Sequence, residues 1–216
     1  SLLGGKGQFT KEIEEALLEG RADIAVHSMK DVPTTLPKGL EIRAFLTRED
    51  PRDALIAHDT SIQSLAELPF GAKVGTASLR RGAMVLNLRP DIKIEVLRGS
   101  VETRLGKVET GEVDATFLAV AGLKRLGLLD RATIILGPEE MLPAVCQGTI
   151  GIECQKDNKA FCDLLSQINH AETNSQTLAE RAFLTALDGS CRTPIGGLAE
   201  INGPTLSFRG LIVRPD

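Results

Sequence analysis

Three predicted strands of this chain each end in basic residues that lead into a helical pattern. The strands and their following cations are residues 22–27 with Lys30, residues 92–97 with Arg98, and residues 115–120 with Lys124 and Arg125. Ligands of open α/β sheets bind outside the carboxyl ends of the strands, so these cations are predicted to share one binding site. Because the formal net charge of the chain is -4, the positive charge is local. It predicts a small ligand that carries several carboxylates or phosphates.

The order of the predicted elements indicates an α/β fold. Strands in the middle of the chain, predicted at residues 72–74, 92–97 and 115–120, alternate with helices. Such alternation is typical of a mainly parallel sheet. The polar segment 48–53 is predicted to be a hinge between two domains, and residues 149–154 a strand that returns to the first. Further helices are predicted at residues 10–19, with Thr10 as N-cap, and at 159–169 and 175–187.

Length and composition exclude several classes of protein. With 216 residues, of which 42% are hydrophobic and 25% charged, the chain can bury a substantial core in two compact domains or parts of three. A pI near 5.5 and the lack of a long basic run argue against nucleic-acid binding. No apolar stretch approaches the roughly 20 residues of a membrane-spanning helix, and the first residues lack the features of a signal peptide.

The cysteines and histidines are scattered along the sequence. They are Cys146, Cys154, Cys162 and Cys191, and His27, His58 and His170. This spacing fits neither a metal site nor a disulfide framework, and it favours a reducing compartment. Cys154 and Cys162 are interpreted as small buried apolar residues. Cys191 lies in a turn-rich loop beside Arg192, which favours the thiolate, so it is the best candidate for covalent chemistry.

The loop that follows the predicted strand at residues 72–74 is a further candidate part of this binding site. Thr76 and Ser78 supply hydroxyl groups at a helix start, where amide groups and the helix dipole favour an anion. Arg80 and Arg81 add planar guanidinium groups suited to carboxylates. Taken alone, the loop is better explained by a serine N-cap followed by two solvated arginines. The recurrence of similar cations after two other predicted strands favours a binding site.

Asp31 is a single carboxylate next to these predicted cations. One interpretation is a Lys30–Asp31 surface pair that contributes little to stability. The other is an acid that moves a proton, or stabilises a developing positive charge, in a closed site.

Six segments, in order and across nearly the whole chain, resemble the porphobilinogen deaminase family, whose members are also called hydroxymethylbilane synthases. They are residues 4–9 (GGKGQF), 25–33 (AVHSMKDVP), 75–81 (GTASLRR), 97–105 (LRGSVETRL), 118–127 (LAVAGLKRLG) and 189–196 (GSCRTPIG). The resemblance implies a transferase that joins four porphobilinogen molecules head to tail into hydroxymethylbilane, with release of ammonia. It places the enzyme in tetrapyrrole biosynthesis.

The same resemblance implies a role for individual residues. Cys191 matches the attachment point of a dipyrromethane cofactor, and Asp31 matches the catalytic carboxylate. Lys6 would belong to a mobile loop over the cleft, and Phe9 would stack on a pyrrole. The residues expected to bind cofactor or substrate are Ser28, Lys30, Thr76, Ser78, Arg80, Arg81, Arg98, Gly99, Arg104 and Arg125. No metal is implied.

The family also implies an architecture. Two domains of the periplasmic-binding-protein type, with mainly parallel sheets, would be joined by a small α+β C-terminal domain. We expect domain 1 at residues 1–47 and 147–165, domain 2 at 48–146 and domain 3 at 166–216, with the fold truncated at both ends. A cytoplasmic monomer is expected, or a plastid enzyme in a photosynthetic eukaryote, with porphobilinogen as its partner and neither nucleic acid nor a membrane.

Two other functions compete with this one. A non-catalytic polyanion-binding module has the same two-domain architecture, but it requires neither Asp31 beside the cations nor Cys191 on its loop. An oxidoreductase that uses Cys191 lacks a second partner cysteine.

Overall fold

The structure is a computed structural model that describes residues 6–187 and 193–214. Its helices are α1 (Lys6–Leu18), α2 (Leu79–Leu88), α3 (Val101–Glu109), α4 (Val120–Arg125), α5 (Lys159–Ser166) and α6 (Ala171–Ala186). Its strands are β1 (Ile24–Ser28), β2 (Leu40–Phe45), β3 (Asp53–Ala57), β4 (Lys73–Gly75), β5 (Lys93–Glu95), β6 (Ala115–Ala119), β7 (Ile134–Ile135), β8 (Ile150–Gln155), β9 (Ile195–Asn202) and β10 (Thr205–Ile212). The predicted α/β class is confirmed. Among the described residues, no helix has the length and apolar character needed to cross a lipid bilayer.

The chain divides into two compact units. Unit 1 contains Ser1–Glu49, Thr149–Cys191 and Ala199–Phe208, and unit 2 contains Asp50–Gly148, Arg192–Leu198 and Arg209–Asp216. The first crossing, between Glu49 and Asp50, lies inside the polar segment 48–53. The division into three domains, at 1–47 with 147–165, 48–146 and 166–216, stays a prediction.

Unit 1 is built on a three-stranded sheet with the order β1-β8-β2. The central strand β8 is antiparallel to both neighbours, and Ile152 lies opposite Val26 on one side and Ala44 on the other. Helix α1 packs Leu17 against this sheet, and α5 packs Leu165 against Ile152. Helices on both faces bury the apolar side chains that alternate along the strands.

Unit 2 is built on a five-stranded sheet with the order β5-β4-β6-β3-β7. Strand β4 is parallel to β5 and β6, whereas β3 is antiparallel to β6 and β7. Leu55 and Phe117 belong to one apolar cluster, and their neighbours Ala54 and Leu118 belong to another. This alternation shows that both faces of the sheet are buried.

The sheets contain both parallel and antiparallel pairs of strands. Parallel pairing is present between β4 and its neighbours β5 and β6, where strands and helices alternate along the chain. Strands β3 and β8 are the first strands after the chain passes from one unit to the other, at Glu49 and at Gly148. No helical crossover in the same unit precedes them, so nothing constrains them to run parallel to a preceding strand.

A buried ion pair anchors helix α6 within unit 1. The carboxylate of Glu180 is fully buried, and it accepts hydrogen bonds from Arg48 Nη1 at 2.6 Å and Nη2 at 3.2 Å. It also accepts the backbone N–H of Ala199 at 2.8 Å. The Thr173 hydroxyl, one turn into α6, accepts the Arg48 backbone N–H at 3.0 Å. Arg48, near the end of the segment Ser1–Glu49, is therefore hydrogen-bonded to α6 at both Thr173 and Glu180.

We expect Arg48→Met to lower the free energy of unfolding by about 3–5 kcal/mol, because it leaves the Glu180 carboxylate buried without its counter-ion. Urea unfolding followed by circular dichroism measures the change. Arg21→Met, which breaks the exposed Arg21–Glu19 pair, is the matched control and should change stability little. Equal effects of the two variants would contradict the structural role of the buried pair.

Candidate functional site

The carboxyl ends of three neighbouring strands meet at one edge of the unit 2 sheet. Strands β5, β4 and β6 are adjacent and parallel, so the segments that follow them leave the sheet at the same edge. These segments carry the cations that the sequence singled out, which are Arg80, Arg81, Arg98, Arg104, Lys124 and Arg125. The structure thus brings together in unit 2 three groups that are separate in sequence.

The loop between β4 and α2 is shaped by its two hydroxyl groups. Ser78 is the N-cap of α2, and its Oγ accepts the backbone N–H of Arg81 at 3.4 Å. Thr76 is buried, and its Oγ1 accepts the backbone N–H of Ser78 at 3.1 Å. Both side chains therefore fix the turn from which the two arginines project.

Arg80 and Arg81 are bound to a buried carboxylate that the sequence did not single out. Asp53, the first residue of β3, has no exposed surface. Its Oδ2 lies 2.7 Å from Arg80 Nη2, and its Oδ1 lies 2.6 Å from Arg81 Nη2. Gln147 donates its Nε2–H to the same Oδ1 at 2.8 Å. One aspartate thus holds both guanidinium groups in fixed positions.

The remaining N–H groups of Arg80 and Arg81 are only partly hydrogen-bonded. Arg80 Nη1 donates to the carbonyl of Leu142 at 2.7 Å, and Arg81 Nη1 donates to the carbonyl of Phe117 at 2.9 Å. The Nε of each arginine is buried and has no hydrogen-bond partner among the described residues. The exposed fractions are only 4% for Arg80 and 7% for Arg81. The interpretation as two solvated arginines is therefore wrong.

Ionisation states in this cluster follow from its geometry. Burial alone would raise the pKa of Asp53, but the charges of Arg80 and Arg81, with hydrogen bonds from Arg81 and Gln147, hold that pKa well below its usual range. Burial lowers the pKa of Arg80, although Asp53 opposes the shift. An arginine remains charged under such conditions. Two cations and one anion leave the cluster with an excess of one positive charge.

The segment after β5 supplies further cations. Arg98 is exposed, and Gly99 has φ +122°, a backbone conformation that only glycine adopts readily. Arg104 in α3 donates its Nε–H to the Gly99 carbonyl at 3.1 Å. Partial burial, followed by the nearby charge of Arg81, lowers the pKa of Arg104. Arg104 and Arg81 are therefore electrostatic neighbours, although they follow different strands.

Arg125 lies at the end of α4, after the third strand of this edge. It is exposed, and its Nη2 donates to the carbonyl of Gly148 at 3.5 Å. Arg125 is the last of the predicted binding residues of unit 2, which begin at Thr76. All of them lie in segments that follow β4, β5 or β6.

In unit 1, Asp31 lies at the carboxyl end of β1. Met29, Lys30 and Asp31 form one turn of 3-10 helix after Ser28, the last residue of the strand. Met29 is 1% exposed, and its backbone N–H donates to the backbone carbonyl of Thr149 at 3.0 Å. A side chain at Gly151 would overlap the Met29 sulfur, so the glycine leaves space for the buried Met29 side chain. Lys30 and Asp31 are half-buried.

Three predicted residues cannot be placed in a site. Cys191 lies outside the described residues. The backbone of Lys6 and Phe9 belongs to α1, which begins at Lys6 rather than at the predicted cap Thr10. This corrects the expectation that Lys6 lies in a loop.

The side chains of the other three cysteines are buried. Cys154 and Cys162 pack in one apolar cluster of unit 1, with their sulfur atoms 3.8 Å apart. Burial, followed by the hydrogen bond with Cys162, raises the pKa of Cys154 to about 12. Such thiols are poor nucleophiles at neutral pH. Within the described residues, no group of three or more His, Cys, Asp or Glu side chains is arranged to hold a metal ion.

Two models of one protein family match this chain. Residues 1–163 match the model described as "Porphobilinogen deaminase, dipyromethane cofactor binding domain", and residues 175–216 match "Porphobilinogen deaminase, C-terminal domain". Two relatives named porphobilinogen deaminase, from Nitrobacter hamburgensis and Nitrobacter winogradskyi, are each 59% identical to it over 214 residues. Each alignment covers 99% of this chain and 67% of the relative.

A solved structure supports the fold. The second substrate binding domain of a putative amino acid ABC transporter from Streptococcus pneumoniae superposes with a TM-score of 0.50 and 17% identity. The superposition covers 82% of this chain and 73% of that protein. At this identity the similarity concerns the fold alone, and it agrees with the predicted periplasmic-binding-protein type.

We expect Asp53→Asn to destabilise the protein by about 3–5 kcal/mol near neutral pH, because two buried guanidinium groups lose their counter-ion. The contribution of Asp53 is complete above the pKa of an unfolded aspartate, about 3.9, and is lost as the pH falls below it towards the depressed folded-state pKa. The wild-type free energy of unfolding should therefore fall more steeply between about pH 4 and pH 2 than that of the variant. Urea unfolding at each pH measures both curves.

Asp130→Asn, the same substitution at an exposed position of unit 2, is the matched control. Parallel curves for Asp53→Asn and the wild-type protein would show that the Asp53 carboxylate does not stabilise the folded cluster.

Proposed function

The chain belongs to the porphobilinogen deaminase family, and we infer that it joins four porphobilinogen molecules head to tail into hydroxymethylbilane, releasing ammonia at each condensation. This activity is that of a transferase in tetrapyrrole biosynthesis. The observation that carries the inference is the match of both family domains, in order, along this chain. A non-catalytic polyanion-binding module is disfavoured, because the longer match is to the cofactor-binding domain of an enzyme.

The cofactor of this family is dipyrromethane, and the donors of unit 2 fit it. Each pyrrole unit carries two carboxylates, so cofactor and growing chain require several separate cationic positions. The edge of the unit 2 sheet provides an excess of positive charge, and the buried Nε donors of Arg80 and Arg81 lack partners among the described residues. When bound, the cofactor supplies the free pyrrole position from which the product is extended.

We assign different tasks to the buried and the exposed cations of this edge. Asp53 holds the guanidinium groups of Arg80 and Arg81 in fixed positions. These two cations therefore need no reorganisation of their side chains when an anion binds. Arg98 and Arg125 are exposed, and their planar guanidinium groups can bind carboxylates in a bidentate manner. Arg104 lies close to Arg81, and a carboxylate shared between the two would relieve their mutual repulsion. Ser78 and Thr76 position the loop, and Gly99 allows close approach of the backbone.

Asp31 is the proposed catalytic residue in unit 1. Loss of ammonia from porphobilinogen leaves positive charge on the pyrrole ring, and a fixed carboxylate close to the ring nitrogen stabilises that charge. The same carboxylate can accept the proton that must leave when the new bond has formed. Lys30 and Ser28, on either side of Met29, are proposed to bind carboxylates of the substrate. Lys6 and Phe9 stay proposed contacts.

Further properties complete the proposal. Cys191 is assigned as the attachment residue through a thioether. The match of the C-terminal family model to residues 175–216 supports a third domain within residues 166–216. Cys154 and Cys162 are close neighbours whose sulfur atoms lie 3.8 Å apart without a disulfide bond, which favours a reducing compartment such as the cytoplasm. We propose a monomer that acts without nucleic acid.

The attachment of the cofactor is tested by intact-mass spectrometry of the full-length protein. The wild-type mass should exceed the mass of the polypeptide by two pyrrole units, and Cys191→Ala should remove this excess. Cys162→Ala, which removes a buried thiol of unit 1, should keep it. An active wild-type enzyme of unmodified mass would refute the assignment of Cys191.

The division of tasks is tested by turnover of porphobilinogen. Asp31→Asn should reduce kcat by about 10²–10⁴-fold, as for loss of a general acid or base, while the cofactor mass is retained. Arg98→Leu should chiefly lower cofactor occupancy or raise KM. Arg131→Leu, which removes another cation of unit 2 paired with Glu109, should do neither. Full activity of Asp31→Asn would overturn the catalytic assignment.

A further inference from the structure

The Arg181 side chain of helix α6 contacts the segment that follows Asp31. Arg181 Nη1 donates to the carbonyl of Val32 at 3.3 Å. Its Nη2 donates to the carbonyl of Pro33 at 2.6 Å and to that of Thr34 at 3.2 Å. Three successive carbonyls therefore converge on one side chain, and the first belongs to the residue next to Asp31.

The segment after Asp31 lies outside the regular secondary structure of unit 1. Residues 32–39 connect the 3-10 turn to β2 and contain no helix or strand. Pro33 and Pro37 have no backbone N–H to contribute to a hydrogen-bonded turn. A planar guanidinium group with several donors in fixed directions can take the place of those missing partners.

The opposite side of the Asp31 turn is fixed by the core of unit 1. The Met29 backbone N–H donates to the carbonyl of Thr149 at 3.0 Å. The Val32 backbone N–H donates to the carbonyl of Met29 at 3.2 Å. The side chains of Met29 and Val32 are 1% and 5% exposed. Asp31 thus lies between a buried anchor on its N-terminal side and the Arg181 contacts on its C-terminal side.

Helix α6 is itself firmly held. Glu180, the neighbour of Arg181, forms the buried ion pair with Arg48 and accepts the Ala199 N–H. Consecutive helical residues project about 100° apart, so one residue anchors the helix to the core while the next reaches the Asp31 segment. The helix ends at Ala186, five residues before Cys191 in the sequence.

We propose, on the basis of the function inferred above, that Arg181 is a positioning residue for Asp31. It holds the carbonyls of residues 32–34 so that the Asp31 carboxylate keeps the position required for the condensation. Arg181 does not touch the substrate. Because it lies on the helix that leads to the cofactor-bearing segment, it also couples the position of the carboxylate to that of α6.

The control is Arg89 of unit 2, which also binds several backbone carbonyls and in addition pairs with Asp91 at 2.7 Å. Its Nη1 donates to the carbonyls of Leu65, Ala66 and Leu68, and its Nη2 donates to that of Pro69. No predicted site residue lies in that segment. Lysine at either position keeps the positive charge but replaces the planar guanidinium, with its donors on three nitrogens in fixed directions, by a single ammonium nitrogen.

The test compares Arg181→Lys with Arg89→Lys in the full-length, cofactor-loaded enzyme. Both variants should lower the thermal midpoint by a similar amount. Arg181→Lys should also reduce kcat by about 10- to 100-fold, because small displacements of a catalytic group have effects of this size. KM should stay within about twofold, since the cationic binding residues are intact. Arg89→Lys should leave kcat unchanged.

A single-turnover measurement isolates the chemical step. The rate at which intact-mass spectra show addition of one porphobilinogen should fall for Arg181→Lys and not for Arg89→Lys. Rates are expressed per cofactor-loaded molecule, so a loss of cofactor cannot imitate the effect. If Arg181→Lys does not fold, Arg181→Gln, which keeps two N–H donors, takes its place.

Equal kcat values for the Arg181 and Arg89 variants would overturn the positioning role, as would a change confined to KM. Absence of turnover in the wild-type enzyme would instead refute the inferred function, so the two failures are distinguishable.

Discussion

The buried carboxylate of Asp53 is the interaction on which the candidate binding edge of unit 2 depends. Two guanidinium groups that are almost fully buried would repel each other and lose hydration without compensation. Asp53 accepts one hydrogen bond from each of them at 2.6–2.7 Å, and Gln147 completes the network. The cluster keeps an excess positive charge in a fixed place. A polyanionic ligand therefore meets cations that are already oriented.

Several arginines of this protein bind backbone carbonyls. Arg80 and Arg81 each donate to a carbonyl as well as to Asp53, and Arg89 and Arg181 each hold several carbonyls of an irregular segment. A count of cations from the sequence therefore overestimates the charge that is available to a ligand. The exposed Arg98 and Arg125 are the clearest candidates for direct contact with carboxylates.

Local patterns in the sequence predicted local structure well. The helix start expected at Ser78 is present, with Ser78 as the N-cap of α2, and the helix expected from residue 159 is present as α5. Two helix starts were displaced, because α1 begins before Thr10 and α6 begins at Ala171, where the His170 Nδ1 accepts the Thr173 N–H. Histidine is an unusual cap, so the sequence offered no standard signal for that start.

Asp53 was missed because it lies in a polar run that resembles a hinge. The signal that could have found it is the apolar run that begins directly after it, Ala54 to Ala57, which places a lone acid at the head of a buried strand. Such a position requires a buried partner. The sequence could not identify the partner, since Arg80 lies 27 residues away and Gln147 lies 94 residues away.

The amino-acid sequence by itself determined the α/β class, the family and the placement of cations after strands, because periodicity, caps and motifs act over a few residues. Only the tertiary structure decided that β3 and β8 run antiparallel to their neighbours, and that Arg80 and Arg81 are buried around one carboxylate. Strand direction and charge burial are set by contacts between residues distant in sequence. Their energies depend on which groups exclude water together, and that is a property of the packed fold.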